Sequence, residues 1–135
     1  MRNATGIAAY RQTSVLGSSR EQLVVLMYEH LLASLRRAGQ QIRDGDIEGR
    51  VTSMARASDI ITELLATLDF DRGGDIASRL SALYAYFLNE ISQISRRPDA
   101  ERLERMTALV ASLHESWVAA ASATEPQPAE SGVVI

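Results

Sequence analysis

Residues 18–45 read SSREQLVVLMYEHLLASLRRAGQQIRDG, and the spacing within this stretch decides the fold. Val24, Met27, Leu31, Leu35, Ala38 and Ile42 follow one another in steps of three or four. That is the spacing of one face of an α-helix. Ser18, with Glu21 three positions on, predicts a capping box: the hydroxyl takes an orphan backbone N–H and the carboxylate reaches back. Gly45 predicts the stop, because glycine enters the left-handed cap without a Cβ penalty.

The same pattern recurs downstream. Asp46 is a good N-cap for a second helix, whose stripe is Ile47, Val51, Met54, Ser58, Ile61, Leu65 and Leu68. Residues 69–74, with the Gly73-Gly74 pair, break it. A third stripe runs Ile76, Leu80, Leu83, Phe87, Ile91 and Ile94. Pro98 suits the first turn of a new helix, and a fourth stripe follows at Leu103, Met106, Val110, Leu113 and Trp117, with Ala120 extending it. Short connections make neighbours antiparallel. The expected fold is all-α: an antiparallel up-down-up-down four-helix bundle over residues 18–123. Residues 1–17 form a short N-terminal helical arm, and residues 124–135, rich in Pro, Glu, Gln and Ser, form a disordered tail.

Composition agrees. The 135 residues suit one domain, and 46% are hydrophobic against 23% charged, a globular balance. The absence of cysteine excludes disulfides, thiolate nucleophiles and Cys-based zinc sites. The net charge of −3 is not that of a nucleic-acid binder. No apolar run approaches the ~18 residues that would span a bilayer. Residues 1–10 lack the apolar core of a signal peptide, so the expected compartment is the cytoplasm and membrane insertion is not expected.

A bundle helix needs one apolar stripe, yet several of these carry more. Leu23, Leu26 and Leu32 stand beside the first stripe, Ile60 and Leu64 beside the second, Ala77, Tyr84 and Leu88 beside the third, and Leu109 beside the fourth. One reading is a wide core-facing arc. The other is a groove into which a partner's amphipathic helix lays its apolar face. On the arm, Ile7 and Tyr10 lie three apart, on one side of a helical turn. The arm either covers such a groove until a ligand displaces it or is permanently docked. The candidate binding residues are therefore Ile7 and Tyr10 on the arm, with Leu23, Met27, Ile60, Leu64, Ala77 and Tyr84 on the bundle. Met27 also belongs to the core stripe.

Catalysis finds little support. His30 and His114 fall on different helices, off the main stripes, and are expected to face solvent. The chain has no His-Glu-x-x-His and no Glu-x-x-His, so neither a zinc protease site nor a di-iron site is expected. Gly73-Gly74 precedes a helix but lacks the Lys-Ser/Thr of a phosphate loop. No cofactor, metal or nucleic acid is expected. A histidine phosphotransfer bundle is the enzyme-class alternative, although neither histidine has the Lys and Gly neighbours expected of one. A structural homodimer that uses the apolar faces on itself is a third reading.

Several segments in order resemble one family. They are residues 6–10 (GIAAY), 22–29 (QLVVLMYE), Gly45-Asp46, 57–64, Leu68-Asp69 and 73–77 (GGDIA), followed by Leu80, Leu83-Tyr84, Tyr86-Phe87 and Trp117. Together they resemble the flagellin-specific export chaperones of bacterial flagella, over most of the chain. Arg20 stands where that family commonly has Pro, Glu29-His30 where it has Asp-Gly, and Asp75 where it has Glu. The resemblance implies a non-catalytic four-helix bundle. It also implies a partner, the disordered C-terminal region of flagellin, held in the cytoplasm against premature polymerisation and delivered to the type III export gate. It places Ile7 and Tyr10 around the flagellin site.

Overall fold

The computed structural model describes residues 19–124. The chain forms α1 (Arg20–Asp44), α2 (Ile47–Ala66), the single turn α3 (Phe70–Gly73), α4 (Asp75–Arg96) and α5 (Ala100–Thr124). The arm, with Ile7 and Tyr10, and the tail from residue 125 lie outside the described residues.

The ends of the helices follow from local chemistry. Ser19, not Ser18, caps α1: its Oγ accepts from the Gln22 N–H at 3.1 Å, and the Gln22 side-chain oxygen accepts from the Ser19 N–H at 2.9 Å. The sequence holds two overlapping boxes, and the later one sets Glu21 in the first turn, where its charge meets the positive end of the helix dipole. Gly45 closes α1 at φ 73°, ψ 21°. Asp46 then caps α2, accepting from the Gly49 N–H at 2.9 Å. Asp69 caps α3 through the N–H groups of Asp71 and Arg72. Gly74 joins α3 to α4 at φ 51°, ψ −121°. Pro98 lies ahead of the last helix rather than in its first turn; Asp99 makes the cap, accepting from the Arg102 N–H at 3.0 Å.

Side-chain bridges fix the topology. Arg20 at the start of α1 donates to the Thr67 carbonyl just past α2. Arg50 near the start of α2 donates to the Ser95 carbonyl near the end of α4. Arg102 near the start of α5 meets Glu90 late in α4, while Arg43 and Glu29 of α1 meet Glu104 and His114 of α5. Every packed pair is thus antiparallel, and the four long helices form a ring in the order α1, α2, α4, α5. Helix α1 packs most extensively, against α2 and α5, and the α4–α5 seam is the slimmest of the ring.

The core corrects the sequence reading of α2 and α4. Ile47 and Val51 head the predicted second stripe but are 68% and 55% exposed, and Ile76 heads the third but is 66% exposed. Ile60, Leu64, Ala77 and Tyr84, read as surplus, are buried instead. The inward arc of α2 runs through Met54, Ala57, Ile60, Ile61 and Leu64. A stripe stepped off in threes and fours is rotated by one residue if its first member is misplaced, and a residue is worth about 100° of rotation. The misplaced members all fall in the first two turns of their helices.

Candidate functional site

The starts of α1 and α4, the end of α2 and the α3 turn meet at one end of the bundle, near Trp117 of α5. They leave two adjoining hollows there. One, of about 380 Å³, is walled by apolar side chains including Val24, Leu68, Ile76, Ala77, Leu80, Tyr84 and Trp117. The other, of about 750 Å³, adds Leu23, Met27 and Phe70. Arg20, Val24, Thr67, Leu68 and Asp69 line both. The charged members belong to helix ends: Arg20 and Glu21 open α1, Asp69 caps α3, and Asp71 and Arg72 lie within that single turn. A lining that mixes apolar side chains with charges from helix ends suits an amphipathic segment.

Of the sequence candidates, Leu23 and Met27 line the larger hollow, and Ala77 and Tyr84 the smaller. Ile60 and Leu64 belong to the packed interior. Ile7 and Tyr10 lie outside the described residues. The sequence candidates do not include Val24, Leu68, Leu80 and Trp117, which lie on the core stripes, or Phe70, which lies in the break. A signal for them was present: each stripe residue that lines a hollow sits early in the first or third stripe or late in the second or fourth, and antiparallel packing brings those ends together.

Beneath the smaller hollow, the Tyr28 and Tyr84 hydroxyls are 2.8 Å apart. Burial pushes both phenols above their ordinary pKa, so both stay protonated at neutral pH. The Trp117 ring packs on Tyr28 with centroids 6.4 Å apart. Along the α4–α5 seam, Arg102 donates to both oxygens of Glu90, at 2.8 and 2.7 Å, and to Gln93 at 2.7 Å. These hydrogen bonds hold the Glu90 carboxyl below the usual carboxylate range.

His30 is exposed. His114 is turned toward Glu29, Nε2 to Oε2 3.3 Å, with its side chain 22% exposed. Among the described residues no cluster of His, Asp and Glu is arranged to hold a metal ion, and no helix is long and apolar enough to cross a membrane.

The fold and the recess define an all-α bundle with a candidate binding recess built from helix ends. Comparison with known proteins makes the class specific: the family model of the flagellar protein FliS matches residues 2–124. The chain belongs to that family, one of chaperones rather than enzymes. The flagellar secretion chaperone FliS of Salmonella typhimurium is 34% identical over 122 residues, covering 87% of this chain and 90% of the relative. That of Campylobacter jejuni is 32% identical over 117 residues, with 87% and 91% covered. The Bacillus subtilis protein of the same name is 28% identical over 109 residues, with 81% and 80% covered.

Proposed function

We propose that this protein is a cytoplasmic export chaperone that holds the C-terminal region of flagellin and brings it to the export gate of the flagellar type III apparatus. The observation that carries the reading is a mainly apolar hollow, with a larger hollow of mixed apolar and charged lining adjoining it, at one end of a bundle of this family. Flagellin's terminal segments polymerise through apolar helix faces, so a recess that buries those faces competes with self-assembly. Coupled folding of such a segment buries on the order of 1,000–3,000 Å² and loses several kcal/mol to ordering. The complex is then tight enough to protect and weak enough to release.

In this scheme Leu23, Met27, Ala77 and Tyr84 contact the segment, with Ile60 and Leu64 backing them from the core. Ile7 and Tyr10 contact it from the arm. Calorimetric titration with a flagellin C-terminal peptide tests this. The wild-type chain should bind one peptide per bundle, and Ile7→Ala with Tyr10→Ala should weaken binding while the helical signal is kept. Unchanged affinity removes the arm from the site, and no binding to the wild-type chain removes flagellin. Size-exclusion mass with and without peptide separates this reading from a homodimer that covers the hollows with a second copy.

A further inference from the structure

The two buried tyrosines carry one hydrogen more than they can use between them. Each hydroxyl brings one, and their 2.8 Å contact uses a single hydrogen whichever group donates. Neither tyrosine has a further acceptor among the described residues. Trp117 offers none either, since an indole N–H only donates. Tyr28 is 0% exposed and Tyr84 1%, so among the described residues the spare hydrogen is a buried donor without an acceptor, a costly state. Rotation of the two O–H bonds moves it from one ring to the other. Tyr84 lines the smaller hollow and Tyr28 does not.

We infer that the segment bound in this hollow presents a neutral carbonyl oxygen to the Tyr84 hydroxyl, making Tyr84 a specificity-determining donor in an otherwise apolar recess. This rests on the reading that flagellin occupies the hollow. Filling the hollow with an acceptor selects the arrangement in which Tyr28 donates to Tyr84 and Tyr84 donates outward. Tyr84 lies about 13 Å along α4 from its first residue at the standard rise, away from the charges at the helix ends. A neutral acceptor, a main-chain carbonyl or an Asn or Gln side chain, enters such a site without the desolvation cost that a carboxylate carries.

Trp117 is the single tryptophan and lines the same hollow, so its fluorescence reports occupancy. The test titrates a flagellin C-terminal peptide into the wild-type chain, Tyr84→Phe and Tyr28→Phe, with thermal unfolding of each. Both variants lose the internal hydrogen bond and should lose similar stability. Only Tyr84→Phe should lose affinity, by roughly five- to tenfold. A peptide with its Asn and Gln residues replaced by Leu should bind both proteins alike if the acceptor is a side chain, and keep the difference if it is main chain. Equal affinities of wild type and Tyr84→Phe for the unmodified peptide overturn the inference. If the wild-type chain does not bind the peptide, the flagellin reading fails instead.

Discussion

The Tyr28 hydroxyl of α1 meets the Tyr84 hydroxyl of α4 at 2.8 Å, across the diagonal of the bundle, between two helices whose backbones do not approach one another. Both rings are fully buried, so this is a polar tie through the middle of an apolar core. A net contribution of about 0.5–1.5 kcal/mol is usual for one such bond. Tyr28→Phe should lower the unfolding free energy by about that amount in urea, with an unchanged dependence on urea concentration. An unaltered midpoint would mean the tie contributes nothing.

The tie shows how much of the molecule was legible in the sequence. The four long helices, their direction and most of their boundaries followed from three- and four-residue spacing and from Gly45, Asp46 and Gly73-Gly74, whereas the α3 turn lies inside the predicted break. Burial of Leu31, Leu35, Phe87 and Val110 followed too, because mid-helix residues have neighbours on every inward side. The site was only half legible. Ala77 and Tyr84 lie beside a stripe in the sequence, yet they are buried and line the hollow. Ile60 and Leu64 lie beside a stripe in the same way and sit in the core. Periodicity gives the angle of a side chain about its helix axis. It does not give the height at which neighbouring helices end, and a recess made of helix ends depends on that height.

Gly74 carries a backbone conformation that no other residue adopts readily, at φ 51°, ψ −121°, whereas Gly45 is in the ordinary left-handed region at φ 73°, ψ 21°. A Cβ at either position would meet nothing within 4 Å, so any penalty is conformational rather than steric crowding by neighbours. Gly45→Asn should be mild, since asparagine tolerates the left-handed region. Gly74→Asn should cost more, about 1–3 kcal/mol. Urea midpoints of the two variants check the order, and equal losses would contradict it.

Glu90 and Arg102 hold the slimmest seam of the ring together, with the carboxyl kept below its ordinary pKa of 4.5 by the Arg102 hydrogen bonds. A depressed folded-state pKa means that the unfolded chain takes up the proton first as pH falls. The stabilisation is therefore whole above about pH 4.5 and is lost as pH drops through the lower, folded-state value. Glu90→Gln should lower Tm by a few degrees at pH 7, and the gap from wild type should close in acid. A gap that persists unchanged at pH 2 to 3 would point to lost packing rather than lost charge.

Ala77 offers the cleanest separation of binding from folding. It is 3% exposed, and its side chain abuts the 380 Å³ hollow, so a longer unbranched side chain has space to enter without displacing the core. Ala77→Met should fill part of the recess with flexible apolar atoms and bury them. Its Tm should hold or rise slightly, since the added methylenes leave water at about 0.8 kcal/mol each when fully buried. Affinity for the flagellin peptide should fall more than tenfold, roughly 1.4 kcal/mol, because the segment's anchor would have to expel the new side chain. Calorimetry and thermal unfolding on one preparation decide it. An unchanged affinity with an unchanged Tm would mean that the segment binds elsewhere on the bundle, whereas a fall in both would mean that the hollow cannot take the longer side chain.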